Sequence, residues 1–175
     1  ARAGNGGAWV QSLRRTWPAR SSADFATRMD TTGIVNEGQE RRLRGYLAAA
    51  HERGLEVVEL APVDPAQADA QRLFAPTLVL EPDADATVMR EEIFGPILPI
   101  KSYRSIEEAI DWINRHDRPL ALYHFSNDRA ETETFLNRTL AGGVAINETV
   151  MQFAVNALPF GGIGPSAMGH YPGRE

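Results

Sequence analysis

Two carboxylates stand side by side at Glu91-Glu92, just ahead of Ile93-Phe94-Gly95-Pro96. Paired carboxylates suit acid–base work on one substrate bond, provided both face it. Neighbours in an extended segment point to opposite faces, so at most one of these two can face a common site. The other reads as a solvated charge before a turn. A second cluster, Gly161-Gly162-Ile163-Gly164 with Gly169 beyond, has the composition of a phosphate-cradling loop. Its spacing is not G-x-G-x-x-G, and no strand-then-helix frame surrounds it. A P-loop lysine is excluded, because the sole lysine, Lys101, is far away in sequence. Gly164-Pro165-Ser166-Ala167-Met168 approaches G-x-S-x-G but has methionine at the second glycine, so no serine nucleophile is read there.

His51, His116, His124 and His170 never fall at i,i+3 or i,i+4, so a helical metal pair is absent and no metal site is read. They read as surface or interface residues. There is no cysteine. Disulfides, thiolate metal sites and a cysteine nucleophile are therefore excluded within these residues. Lys101 leaves one position for Schiff-base chemistry. No catalytic residue is read in this chain.

The elements that must carry these groups belong to a chain of 175 residues, room for one ordinary domain and little more. Hydrophobic residues at 43% and charged residues at 23% permit a buried core. A net charge of −5 argues against nucleic acid or an anionic membrane as the main partner. No apolar run approaches the ~18 residues of a membrane span. The N-terminus has no signal-peptide core, and the expected location is cytoplasmic. The chain does not begin with methionine, so processing or a longer parent is expected.

Residues 8–16 predict a short helix and 17–30 a polar connection. Asn36 caps the next helix, with Gln39 as its reciprocal partner and Leu43, Tyr46, Leu47 and Ala50 along one face. Gly54 closes it at a left-handed position. Residues 55–60 read as a strand, 62–70 as a polar loop, and 73–80 as an edge or bulged strand around Pro76. Residues 87–89 read as extended, 91–96 as a turn and 97–103 as a strand. Ser105 and Glu108 form a second capping box, followed by Ile106, Ala109, Ile110 and Ile113 on one face. Residues 120–125 read as a strand, 128–140 as a helix, and 144–146 as a short buried strand after Gly142-Gly143. From Asn147 onward no period holds, and a run that long is functional or packs against something beyond these residues. The fold class is α/β: a parallel-rich sheet flanked by helices, with an irregular Gly-rich C-terminal segment. The organisation read is 1–29, an N-terminal helix and connection; 30–146, the α/β core; and 147–175, an irregular segment of the same domain.

Three ordered stretches resemble the NAD(P)-dependent aldehyde dehydrogenase family. Glu91-Glu92-Ile93-Phe94-Gly95-Pro96 resembles its E-E-x-F-G-P segment. Gly142-Gly143-Val144-Ala145-Ile146-Asn147 resembles its G-G-x-x-x-N strand. Leu158-Pro159-Phe160-Gly161-Gly162-Ile163-Gly164-Pro165-Ser166 resembles its P-F-G-G-x-x-x-S segment. The sequence between and around them is similar to the class-3-like branch that includes coniferyl aldehyde dehydrogenases, over about residues 30–175.

The resemblance implies the C-terminal part of a catalytic domain. The cysteine nucleophile and the general-base glutamate would lie upstream, together with the Rossmann-type cofactor domain. It implies oxidation of an aldehyde to a carboxylic acid through a cysteine thiohemiacetal, with NAD or NADP as cofactor and a homo-oligomer when complete. By the same resemblance Glu92 accepts hydrogen bonds from the nicotinamide ribose, and Phe94 packs near the nicotinamide. Phe160, joined by Phe153, lines the aldehyde pocket. Asn147 organises a loop, and Gly161 and Gly162 allow close backbone approach. The sequence departs from the branch at Ser166-Ala167, Pro165 and Pro172, and Ala167 would be strained at any position that needs positive φ. The rival expectation is a non-catalytic truncated domain that acts only as a binding module.

Overall fold

The structure, a computed structural model, describes residues 32–61, 63, 66, 71–151, 155, 160–167 and, by backbone alone, 170–171. The helix expected at 8–16, the connection at 17–30, most of the loop at 62–70, Phe153 and Pro172 lie outside these residues. The chain falls into two units, one ending at Ser102 and the other running on from Tyr103.

In the first unit, Asn36 opens helix α1 (Glu37–Glu52), its Oδ1 accepting from the Gln39 backbone N–H at 3.0 Å. The reciprocal half of the box does not form, because Gln39 Oε1 accepts from Arg42 Nε instead, at 2.8 Å. Leu43, Tyr46 and Ala50 are buried along one stripe, and Gly54 follows at φ 71°. Strands β1 (Glu56–Glu59), β2 (Thr77–Leu80) and β3 (Ile97–Ile100) form a sheet in the order β1-β2-β3. β1 runs antiparallel to β2, and β3 runs parallel to it. The core joins the α1 stripe to Phe74, Val79, Ala86, Val88 and Ile97.

Two expectations are corrected here. β2 is the central strand, neither an edge nor bulged, because it starts after Pro76. Proline's missing N–H then costs no ladder bond, while its carbonyl accepts from Leu60 N at 2.8 Å. Residues 87–89 are not extended but belong to a one-turn helix, α2 (Thr87–Arg90). Three residues carry too little period to separate strand from helix. The deciding bonds are Met89 N to Ala86 O and Glu91 N to Thr87 O.

In the second unit, α3 (Ile106–Asn114), β4 (Ala121–His124), α4 (Arg129–Arg138) and β5 (Gly143–Ile146) follow in order. β4 and β5 pair in parallel, with α4 as the crossover. Asp128 caps α4 by accepting from Ala130 N and Glu131 N. Asn114 Nδ2 donates to Arg138 O at 2.8 Å, tying α3 to the end of α4. The burial expected of 144–146 is only partial, since Val144 is 37% exposed in a two-stranded sheet. Within 147–175, β6 (Phe160–Gly161) and β7 (His170–Tyr171) form a short antiparallel ladder around a 3₁₀ turn at Gly164–Ser166. Among the described residues, no helix is long and apolar enough to cross a membrane.

Candidate functional site

The loop between α2 and β3 carries the first group of candidate residues. Glu91 and Glu92 have divergent surroundings. Glu91 Oε2 accepts from the Tyr46 hydroxyl of α1 at 2.8 Å. The Glu92 side chain is exposed and has no hydrogen-bond or ion-pair partner among the described residues. Its backbone is held: Glu92 O accepts from Arg42 Nη1 at 3.2 Å, and Ile93 O from Arg42 Nη2 at 2.8 Å. Phe94 is 86% exposed and sits at φ 41°, in the left-handed region that aromatic residues seldom adopt. Gly95 rests on Leu43, where an added Cβ would lie 2.6 Å from Leu43 Cδ2. Pro96 O accepts from Thr77 N at 2.9 Å and ties the loop into β2.

An exposed carboxylate on a fixed backbone is an acceptor-only group that can take two hydroxyl donors at once. An exposed aromatic two residues on offers a face for a planar ring. These two groups share one short loop, two residues apart in sequence.

The second group lies in the other unit. Asn147 follows β5 at φ 56°, a conformation asparagine tolerates better than most residues. Its Oδ1 accepts from Ser126 N and its Nδ2 donates to Ser126 O, both at 2.9 Å. The side chain therefore spends its hydrogen bonds on the loop after β4. Phe160 is half-buried in β6, and Gly161 and Gly162 beside it are buried. A Cβ on Gly162 would meet Ala167 N and Ser166 Oγ, each at 2.6 Å, so glycine is required there by space. Gly142 packs equally closely on the Gly161 carbonyl. Ser166 Oγ accepts from Ile163 N and lies 2.9 Å from Ile163 O, which locks the turn and leaves it no role as a nucleophile. Ala167 has φ −176°, extended backbone without strain, and the left-handed position is taken by Gly164 at φ 60°. Phe153 lies outside the described residues.

The remaining reactive groups have structural roles. Lys101 Nζ donates to Pro82 O at 3.1 Å. His116 leans on the Trp112 ring at a centroid distance of 4.1 Å. His124 departs from the surface reading: it is buried and stacked on Phe135, and among the described residues its Nε2 has no hydrogen-bond partner. Burial, and secondarily the Glu131 charge, pushes the Tyr103 hydroxyl above its ordinary range.

The family model "Aldehyde dehydrogenase family" matches residues 11–175. The chain belongs to the aldehyde dehydrogenase family. Among its relatives, a probable coniferyl aldehyde dehydrogenase of Caulobacter vibrioides is 46% identical over 147 residues, covering 83% of this chain and 30% of the relative. A Rattus norvegicus relative, "Aldehyde dehydrogenase, dimeric NADP-preferring", is 45% identical over 166 residues, covering 95% and 35%. Among solved structures, an NAD-dependent aldehyde dehydrogenase from Sinorhizobium meliloti superposes with a TM-score of 0.70 at 25% identity, covering 81% and 27%. The chain thus spans about a third of the length of the aldehyde dehydrogenases it matches.

The α/β class with parallel strands agrees with the family fold. Arg42 and Tyr46 as anchors of the Glu91–Pro96 loop were not anticipated. Tyr46 reads from periodicity as part of the apolar face only. Their i,i+4 spacing shows only that the two share a side of α1.

Proposed function

We propose that this chain forms one wall of the active site in an enzyme that oxidises an aldehyde to a carboxylic acid with NAD or NADP. The cysteine nucleophile and the base that hydrolyses the thioester lie outside these 175 residues. The proposal extends to an oligomer, as the family resemblance implies, and to a cytoplasmic location, as expected from an N-terminus without a signal-peptide core. One observation carries the reading: within the E-E-x-F-G-P loop Glu91 is consumed by Tyr46 while the Glu92 carboxylate stays uncommitted on a backbone tied to α1. That acceptor suits a ribose, whose adjacent hydroxyls can both donate to one carboxylate.

When bound, the dinucleotide supplies the hydride acceptor. Glu92 holds the ribose and so limits where the nicotinamide ring can lie. Phe94 offers its exposed ring to the nicotinamide. Phe160 lends an apolar surface that excludes water from the aldehyde and favours apolar substrates, a role the family resemblance extends to Phe153. Asn147 fixes the loop after β4 and takes no part in the reaction, and Gly161 and Gly162 keep the backbone close to the pocket.

The test is a pair of substitutions in the full-length enzyme. Glu92→Gln keeps the size and weakens charge-assisted bonds worth roughly 1.5–3 kcal/mol each. Hydride transfer slows and the cofactor KM changes, while aldehyde KM holds. Glu91→Gln, which leaves an oxygen to accept from Tyr46, is nearly silent. A larger effect from Glu91→Gln would reverse the assignment of the two carboxylates.

A further inference from the structure

We propose that Arg42 is a positioning residue, which acts through the backbone of Glu92 and Ile93 to aim the Glu92 carboxylate at the cofactor. This rests on the reading of Glu92 given above. A guanidinium offers five donors in a rigid plane and cannot lose its charge at any working pH. Arg42 directs them to four acceptors. Nε donates to Gln39 Oε1 at 2.8 Å, and Nη1 to the Tyr46 hydroxyl oxygen at 2.8 Å and to Glu92 O at 3.2 Å. Nη2 donates to Ile93 O at 2.8 Å. Two successive carbonyls held by one planar group fix the peptide between them. The Tyr46 hydroxyl in turn donates a hydrogen bond to Glu91 Oε2, and the Arg42 guanidinium lies 5.2 Å from the Tyr46 ring centroid. Residues 91, 92 and 93 are therefore all tied to one face of α1.

The loop needs such a tie. Glu92 and Phe94 are exposed, and Phe94 occupies a left-handed conformation that a non-glycine residue keeps only when its surroundings over-determine it. Arg42 restrains the chain just before Phe94, and the contact of Gly95 with Leu43 restrains it just after. A lysine could not substitute, because a point charge on a flexible stem cannot hold two carbonyls in one plane. Tyr46 adds selectivity: by occupying Glu91 it leaves Glu92 as the carboxylate free for a ligand.

The experiment uses the full-length enzyme and the variants Arg42→Met, Tyr46→Phe, Glu92→Gln and Arg42→Met/Glu92→Gln. Arg42→Met keeps the apolar stem and deletes the donors. The readouts are cofactor Kd by titration calorimetry, cofactor KM, aldehyde KM and the single-turnover rate of hydride transfer, with cofactor Kd expected to rise in step with cofactor KM. Arg42→Met is expected to raise cofactor KM and slow hydride transfer about tenfold, the equivalent of roughly 1.4 kcal/mol, with aldehyde KM within about twofold. Tyr46→Phe, which leaves both carbonyl bonds in place, acts in the same direction and more weakly. It also serves as the test if Arg42→Met does not fold. The double variant should be little worse than Glu92→Gln alone, because Arg42 works through that carboxylate. Equal losses on cofactor and aldehyde, additive losses in the double variant, or wild-type behaviour of Arg42→Met and Tyr46→Phe beside an impaired Glu92→Gln would each overturn the positioning role. A silent Glu92→Gln would instead overturn the reading of Glu92 itself.

Discussion

Gly95 has no positive φ, so its reason for being glycine is space. A Cβ there would sit 2.6 Å from Cδ2 and 2.8 Å from Cδ1 of Leu43, a residue with no exposed surface. Leu43 cannot swing into solvent without leaving the core. Gly95→Ala is therefore expected to destabilise the protein by about 1–3 kcal/mol, the usual cost of overpacking. Leu43→Ala alone should cost roughly 2–5 kcal/mol through the cavity it leaves. The double variant should cost less than the sum, because each change relieves the other. Denaturant unfolding of the three variants checks this, and strictly additive losses would show that the contact is not the cause. The same loop holds Phe94 at φ 41°.

At the scale of the element, the start of α3 carries two carboxyls held below their ordinary range. Glu108 N donates to Ser105 Oγ at 3.3 Å, and Glu108 Oε2 accepts from the backbone N–H of Arg104 at 3.0 Å. That backbone bond, and then the Arg104 side chain, holds the Glu108 carboxyl below its ordinary range. Backbone N–H, and then Ser105, does the same for Glu107. A carboxyl whose folded pKa is depressed contributes stability that is present above its unfolded pKa of about 4.3 and is lost as pH falls through the folded value. The melting temperature should therefore drop between about pH 5 and pH 3, and Glu108→Gln should flatten that acid limb. Both groups are exposed, so the slope is shallow. Thermal melts by circular dichroism against pH measure it, and an unchanged acid limb in Glu108→Gln would exclude Glu108 as a contributor.

At the scale of the molecule, the chain spans about a third of its relatives' length and contains no cysteine. Ser166 is committed to its own turn, and Lys101 to Pro82. No other group in the described residues is placed to replace a thiolate. The purified 175-residue chain should give no NAD(P)H absorbance with benzaldehyde, coniferyl aldehyde or acetaldehyde. Turnover that a substitution within this chain abolishes would place a nucleophile here and end the proposal of an external one.

Local signals were enough for much of this. Caps at Asn36, Ser105 and Asp128, and apolar stripes such as Leu43, Tyr46 and Ala50, are written within one or two helical turns. They placed α1, α3 and α4 to within a few residues. That at most one of Glu91 and Glu92 can face a common site is legible for the same reason, since backbone geometry acts between neighbours. The ordered motifs at 91–96, 142–147 and 158–166 were enough to find the family. What required the tertiary structure is whatever depends on residues distant in sequence. The central place of β2 comes from partners distant in sequence on both sides, as in Val57↔Val79 and Val79↔Pro99. The helical turn at Thr87 is too short to carry a period of its own. His124 is buried because Phe135 on α4 stacks over it. Arg42 has no local signature as an anchor, because the carbonyls it holds lie 50 and 51 residues further along the chain. Spacing along one helix can show which side chains share a face, but the chain segment that meets that face is chosen by packing.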